Sequence, residues 1–251
     1  MSGRRLVATL ACRNQGSRLY GKPVQNLDVE AGIKIIDNII SCLLRVPQID
    51  ETVLAISHGE ENNTFITTAI QFKLQYIFGD EHDVLARIIH AGEMAAATDI
   101  FRVTTESPFT SHEMIEELWH LHVERDSDAT FLEPSIDGCG IEIISLDALK
   151  RSHNRGETRH RSEMCSLYMR ENPTQFKIDR VAPAVDLQRL DLRLTVDNPE
   201  DLVVCRHIYA ALKHSAPMIP ISEIVKFLDR NEPLKILTAP FLEIGYSTMY
   251  L

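Results

Sequence analysis

The 251-residue sequence lacks a paired cysteine motif, an excess of positive charge and any apolar run long enough to span a bilayer. Each absence removes a class of protein. Its five cysteines, Cys12, Cys42, Cys139, Cys165 and Cys205, are odd in number, widely spaced and never arranged as C-x-x-C. Such spacing suits reduced thiols better than a disulfide framework or a zinc site. The formal net charge is −10, whereas nucleic acids and membrane surfaces are polyanions that attract basic proteins. Neither is expected as a general partner. No stretch approaches the roughly 20 apolar residues of a membrane span. The opening "MSGRRLVATLACRNQG" returns to polar residues too soon for a signal peptide, so a cytoplasmic protein is expected. Internal repeats and low-complexity segments are also missing.

What is present is ordinary globular composition, 44% hydrophobic and 25% charged, enough for one large α/β domain over 1–251. Short apolar runs read as buried strands: Leu6–Ala11, Thr52–Ser57, "LQYIFG" and Ile100–Thr104. Between them, Gly32–Val46, Asn62–Lys73, Asp83–Ala97 and His112–Arg125 carry apolar residues at helical spacing. Strand and helix therefore alternate, which predicts βαβ units and a mostly parallel sheet with helices on both faces, a three-layer Rossmann-like α/β fold. The rhythm changes at "ATFLE" and "GIEIIS", two short strands around the turn "PSIDGC" that read as a hairpin. A polar region with the basic run "KRSHNRGETRHR" follows, so 129–190 is read as a hairpin and small lobe inserted within the domain. "LRLTVD" restores a core strand and leads into a helix capped by Asn198 or Asp197, with Pro199 in its first turn.

The stretch Gly16–Lys22 satisfies G-x-x-x-x-G-K, the body of a phosphate-binding P-loop, but Pro23 stands where the metal-binding Ser or Thr belongs. Proline offers neither hydroxyl nor N–H, and it disfavours helical geometry at Lys22. A true P-loop is not expected. What remains is three cations within ten residues, Arg13, Arg18 and Lys22, directly after a buried strand. Ligands bind at the carboxyl ends of strands in open α/β sheets, where loop amides and cations can neutralise a triphosphate. On chemistry alone, a solvated basic turn joining strand to helix remains an alternative.

"ACRNQGSRLYGKPV" resembles the A-R-x-x-x-x-R-L-P-G-K signature of the CMP-Kdo synthetase and spore-coat polysaccharide (SpsF-like) cytidylyltransferases. The resemblance runs on in order through "IDETVLAIS", "GDEHDVLARI", "FRVTTESPFT", "IDGCGIEIISLDAL", "YMRENPTQFKI" and "LRLTVDNPEDL", to about residue 212. It implies a GT-A-like nucleotidyltransferase fold and transfer of CMP from CTP to an acidic or phosphorylated sugar, with release of pyrophosphate. It also implies Mg²⁺ as cofactor, a homodimer joined through the hairpin and lobe, and a role in surface polysaccharide or glycoconjugate synthesis.

Residue by residue, the likeness assigns Ala11, Cys12, Arg13, Arg18, Lys22, Ser57 and Asp83 to nucleotide binding, with Arg13 and Lys22 acting on the reacting phosphates. Glu106 and Asp197 match the metal carboxylates, each directly after a strand. Two acids suffice, because Mg²⁺ takes one or two carboxylates plus phosphate oxygens and water. Asp197 could instead be a helix cap, Glu106 a surface acid, and Asp83 a helix N-cap. The sequence departs from the family at Tyr20 for Pro, Glu106 for Asp, Gly140 for Asp and Met164 for His. These changes imply either an unusual acceptor or a weakened relative that serves as a nucleotide- or partner-binding component. Asp126-Ser-Asp128 imitates the D-x-D of glycosyltransferases but follows a helix, on the wrong edge of the sheet. His120 and His122, two apart on a helix, do not face each other.

Overall fold

The computed structural model describes residues 3–16 and 18–243. Its strands are β1 (Leu6–Cys12), β2 (Asn26–Asp28), β3 (Ile33–Lys34), β4 (Glu51–Ser57), β5 (Gln75–Gly79), β6 (Asp99–Val103), β7 (Ala129–Leu132), β8 (Glu142–Ser145) and β9 (Ile178–Val181). The helices are α1 (Ile35–Leu43), α2 (Thr64–Phe72), α3 (Val84–Met94), α4 (Ile115–Glu124), α5 (Leu146–Arg155), α6 (Leu167–Glu171), α7 (Pro199–Leu212), α8 (Ile221–Asp229) and α9 (Glu232–Thr238). Seven strands form one sheet in the order β5-β4-β1-β6-β8-β7-β9, and β2 pairs with β3 separately. β8 runs antiparallel to both neighbours, while every other adjacent pair in the large sheet is parallel.

β1 shows why the architecture has three layers. Leu6, Ala8, Leu10 and Cys12 join the core that contains α1, α2, α4, α7 and α8, whereas Val7 joins the core of α3 and α5. Strand side chains alternate between faces, so a central strand covered on both sides must be apolar throughout. α1 answers with Ile35, Ile36, Ile39, Ile40 and Leu43, all fully buried; each contributes about 1.5–3 kcal/mol on burial. The 129–190 segment supplies β7, β8 and β9 to the main sheet, with β9 at its edge. Among the described residues, no helix is long and apolar enough to cross a membrane.

The expected strand over "LRLTVD" does not form. Leu192, Leu194 and Val196 are buried as a strand's would be, but the N–H groups of Leu194 and Val196 donate to two different loops. Leu194 N–H donates to the Asp137 carbonyl at 2.7 Å, and Val196 N–H donates to the Glu106 carbonyl at 2.9 Å. With no single straight partner, the ladder reduces to one isolated bridge, Asp137 to Arg193. This irregular segment ties the end of β6 to the start of α7, and so ties Glu106 to Asp197.

The D-x-D sits at the opposite edge, as its position after a helix predicts. Asp126 pairs with Arg4, and Asp128 pairs with Arg151. His122 is fully buried, its ring between Asp99 at 3.0 Å and the Thr130 hydroxyl at 2.9 Å. Asp99 also receives Arg4 at 2.5 Å and the Thr98 hydroxyl at 2.7 Å. Burial alone would raise the Asp99 pKa, but its bonds from His122, Arg4 and Thr98 hold it below the usual carboxylate value. A depressed folded-state pKa stabilises fully above the unfolded value, about 3.9 for aspartate, and the contribution drains away as pH falls below it. Asp99→Asn should therefore cost about 3 kcal/mol at pH 7. Denaturant unfolding measured across pH should show the difference from the parent protein shrinking below pH 4, which is about the ordinary carboxylate range.

Candidate functional site

The parallel arrangement puts the carboxyl ends of β1, β4, β6, β7 and β9 at one edge of the sheet, together with the start of the antiparallel β8. Two adjoining cavities open there. The first, about 160 Å³, is lined by Ala11, residues 13–16, Arg18, Lys22, Pro23, Val84, Arg87 and residues 102–106. The second, about 290 Å³, lies between that turn, the 132–142 loop and the Glu163–Arg170 segment. Arg18, Arg102, Thr104, Glu106, Glu163 and Asp197 line both cavities, so they form the boundary.

The glycine turn is closed upon itself. Gly21 N–H donates to the Asn14 carbonyl at 2.8 Å, with Gly21 at φ +61°, a left-handed conformation that costs glycine nothing. At Gly16 a Cβ would meet the Leu19 carbonyl at 2.5 Å, so that glycine serves the turn's own packing. Asn14 N–H donates to the Asn62 carboxamide at 2.8 Å, which fixes the turn to the segment after β4. Lys22 opens only a single 3₁₀ turn, Lys22–Val24, with Pro23 inside it. This is not the helix that a P-loop lysine would begin.

Asp197 is where the cations converge. Its Oδ1 accepts from Lys22 Nζ at 2.6 Å and Arg18 at 3.0 Å, and its Oδ2 from Arg193 at 2.5 Å. Burial pushes the Asp197 pKa up, but the Lys22 hydrogen bond and the Lys22, Arg18 and Arg193 charges carry it below the ordinary value. The carboxylate is thus held ionised. Asn198, not Asp197, caps α7, and its N–H donates to Asp201 at 2.8 Å. The capping role is filled by a neighbour, and Asp197 is left to face the boundary.

Glu106 is different. Its carboxylate has no hydrogen-bond partner among the described residues, and burial raises its pKa; Lys22 opposes the rise while Asp197 and Glu163 add to it. Arg13 lines the first cavity and pairs with Glu163 at 2.8 Å. Ala11 lines the same cavity, and its carbonyl accepts from the Thr105 hydroxyl at 3.1 Å.

Three assigned positions lie elsewhere. Cys12 and Ser57 are fully buried and line neither cavity; burial raises the Cys12 thiol pKa far above its usual range. Asp83 caps α3 by accepting from Ala86 N–H at 2.9 Å, and its other oxygen holds His153 at 2.8 Å. A carboxylate engaged in this way is a structural part of the helix start.

Arg87, the arginine of "DVLAR", carries a signal that the sequence position alone did not. It is 2% exposed and lines the first cavity, and its Nε and Nη1 lack hydrogen-bond partners among the described residues. Burial lowers its pKa, the direction expected of an uncompensated charge. Arg193 was also missed. A lone arginine inside the apolar run "LRLTV" signals buried acids, and it holds Asp137, Asp197 and Asp201 together.

Known proteins share the fold. The sequence model of the cytidylyltransferase family matches residues 8–238. The chain is 24% identical over 244 residues to the protein MJ1063 of Methanocaldococcus jannaschii, covering 96% of this chain and 98% of that one. It is 25% identical over 191 residues to the spore coat polysaccharide biosynthesis protein SpsF of Bacillus subtilis, covering 72% and 76%. Among solved structures, a cytidylyltransferase from Leptospira borgpetersenii superposes with a TM-score of 0.82 at 15% identity, covering 92% and 95%. A CMP:2-keto-3-deoxy-manno-octonic acid synthetase complexed with CTP superposes with a TM-score of 0.60 at 15% identity, covering 82% and 99%.

Arg87→Met keeps the methylenes that pack against Gly79 and removes the unpartnered buried charge. The variant should be more stable than the parent by roughly 1–2 kcal/mol, measured by denaturant unfolding without nucleotide. A loss of stability would show that Arg87 is a satisfied structural residue.

Proposed function

The chain belongs to the cytidylyltransferase family, and from that premise we propose that it is a Mg²⁺-dependent enzyme that moves the CMP group of CTP onto an oxygen of an acidic or phosphorylated sugar, releasing pyrophosphate. The observation that carries this reading is the boundary between the cavities. Cations for a triphosphate (Arg13, Arg18, Lys22 and Arg87, two of whose nitrogens lack partners) line the first cavity, and two carboxylates, Glu106 and Asp197, face both. The nucleotide would occupy the first cavity and the acceptor the second.

The donor set fits the metal. Glu106 is a half-buried carboxylate without a hydrogen bond among the described residues, and its pKa is raised by burial and by Asp197. Such a group gains from a neighbouring dication, and Mg²⁺ accepts one or two carboxylates with phosphate oxygens and water. When bound there, Mg²⁺ would neutralise phosphate charge and make the α-phosphorus more open to attack.

The side chains have their own work. Lys22 and Arg18 now rest on Asp197; a triphosphate in the first cavity offers them stronger anions, and their departure frees Asp197 Oδ1 toward the boundary. Arg193 stays on Oδ2 and keeps that carboxylate aimed. Arg87 gives its free N–H groups to the nucleotide, which repays its desolvation. Phosphoryl transfer depends mainly on positioning and on charge stabilisation of this kind. The implied homodimer would join at the β9 edge, near Val185, which is 85% exposed.

CTP should raise thermal stability more than ATP, GTP or UTP, and Arg87→Met should weaken CTP binding about tenfold, the loss of roughly one charged hydrogen bond. Asp197→Asn should lower pyrophosphate release about 10²–10³-fold while leaving the far-UV spectrum unchanged. If CTP neither stabilises the protein nor supports pyrophosphate release with any sugar acid or sugar phosphate, the proposal fails. Light scattering at micromolar concentration should find a dimer.

A further inference from the structure

The two acids at the boundary are in unequal condition. The Glu106 carboxylate receives no hydrogen bond among the described residues. Asp197 has both oxygens taken, Oδ1 by Lys22 at 2.6 Å and Arg18 at 3.0 Å, and Oδ2 by Arg193 at 2.5 Å. One acid is available to a dication, and the other stands behind three positive charges.

The three cations differ in what else they hold. Arg193, its side chain 2% exposed, also binds Asp137 and Asp201, whose side chains are 9% and 0% exposed. It cannot leave without stranding buried carboxylates. Lys22 and Arg18 have no second acidic partner among the described residues. The turn that carries Lys22 is fixed through Gly21 and Asn14, but the lysine's four-carbon stem rotates on that base. Arg18 is half-exposed. Nearby, Arg13 rests on Glu163 at 2.8 Å in a solvent-open pair, the kind that is exchanged at little cost. Arg193 is thus a permanent partner of Asp197, whereas Lys22 and Arg18 are transferable.

Charge sets the order of events. Lys22 and Arg18 stand between any dication and Asp197 Oδ1, and displacing them leaves two cations beside the metal with no acid to take them. Mg²⁺ gives up its water reluctantly in any case. A triphosphate changes the balance. Lys22 and Arg18 line the first cavity, and phosphate oxygens accept from them as strongly as a carboxylate does. Once the two side chains turn to phosphate, Asp197 and Glu106 are two carboxylates on one boundary. Their spacing is set by the backbone, because Val196 N–H donates to the Glu106 carbonyl at 2.9 Å. The charge of Asp197 already opposes ionisation of Glu106, and a dication relieves that repulsion.

Resting on the reading of the first cavity as the nucleotide site, we propose that the nucleotide builds the metal site: Lys22 and Arg18 lock Asp197 against Mg²⁺ until a triphosphate draws them away. Metal binds with the nucleotide or after it. The coupling is reciprocal, so each ligand strengthens the other by the same factor. Lys22 therefore acts twice, first as the guard of the metal's carboxylate and then as a phosphate ligand. Arg193 keeps Oδ2 throughout and preserves the aim of the carboxylate while Oδ1 changes partners.

Calorimetric titration of the full chain with Mg²⁺ alone, without nucleotide, tests the lock. Lys22→Gln should bind Mg²⁺ about tenfold more tightly than the parent, within the usual range of coupling between two sites. Lys22→Arg, which keeps a cation on Asp197, should match the parent. Lys73→Gln should match it too, since it removes one charge before β5, at the opposite edge of the sheet. Arg18→Gln should act in the same direction as Lys22→Gln and serves if that variant folds poorly. With CTP in the presence of EDTA, Lys22→Gln should bind about tenfold more weakly than the parent. Opposite effects of one substitution on two ligands are not produced by a merely structural lysine. Equal Mg²⁺ affinity in the parent, Lys22→Gln and Arg18→Gln, or an equal gain in Lys73→Gln, overturns the inference. That titration contains no nucleotide, so its outcome is separate from failure of CTP to bind, which would instead sink the proposed function.

Discussion

Everything at the candidate site depends on one carboxylate being held ionised and aimed. Asp197 receives Lys22 and Arg18 on one oxygen and Arg193 on the other, yet it lies on no regular element. Its position is fixed by its surroundings. Its own N–H donates to Asp201 at 2.9 Å, Asp201 is bound by Arg193 at 3.0 Å, and Val196 hangs from the Glu106 carbonyl. The capping of α7 and the placement of the acid are therefore one construction. Asn198 and Asp201 satisfy the orphan N–H groups at the helix start, and the residue just before them is released to face the cavities.

The two cavities then differ by how their cations are satisfied. In the first cavity, Arg87 is buried without partners for two of its nitrogens, an arrangement that costs stability until an anion or acceptor atom arrives. In the second cavity the arginines are partnered by Glu133, Glu142 and Asp137. An unpartnered charge favours a ligand that brings its complement. A fully paired lattice favours a ligand that brings none. The same residue type thus supports opposite selectivities a short distance apart, and the difference is set by neighbouring acids rather than by the arginines.

Much of the fold could be read in the sequence because its causes are local. Alternation of short apolar runs with helical spacing demanded a sheet covered on both faces, and β1 divides its side chains between two cores accordingly. The place of the loop cations followed from the rule that ligands gather at the carboxyl edge, whereas Glu106 and Asp197 were singled out by the family resemblance. "LRLTVD" was misread for an instructive reason. Its pattern of buried residues is that of a strand, but a strand also needs a continuous partner, and the partners here are two loops far away in sequence.

The same limit explains what was missed in the site. Asp83 looked available because a single acid before a helix can bind a ligand or cap; only the capping bond from Ala86 and the contact with His153 decide between them. Arg87 could not be told from a surface arginine by periodicity, since α3 is amphipathic either way, and its meaning comes from the absence of partners in a buried place. Arg102, Glu142 and Arg170 come from β6, β8 and α6, three elements with no common motif. Their charges acquire significance only through mutual distance. Local pattern therefore specifies where a site must lie, while long-range pairing of charges specifies what that site will accept.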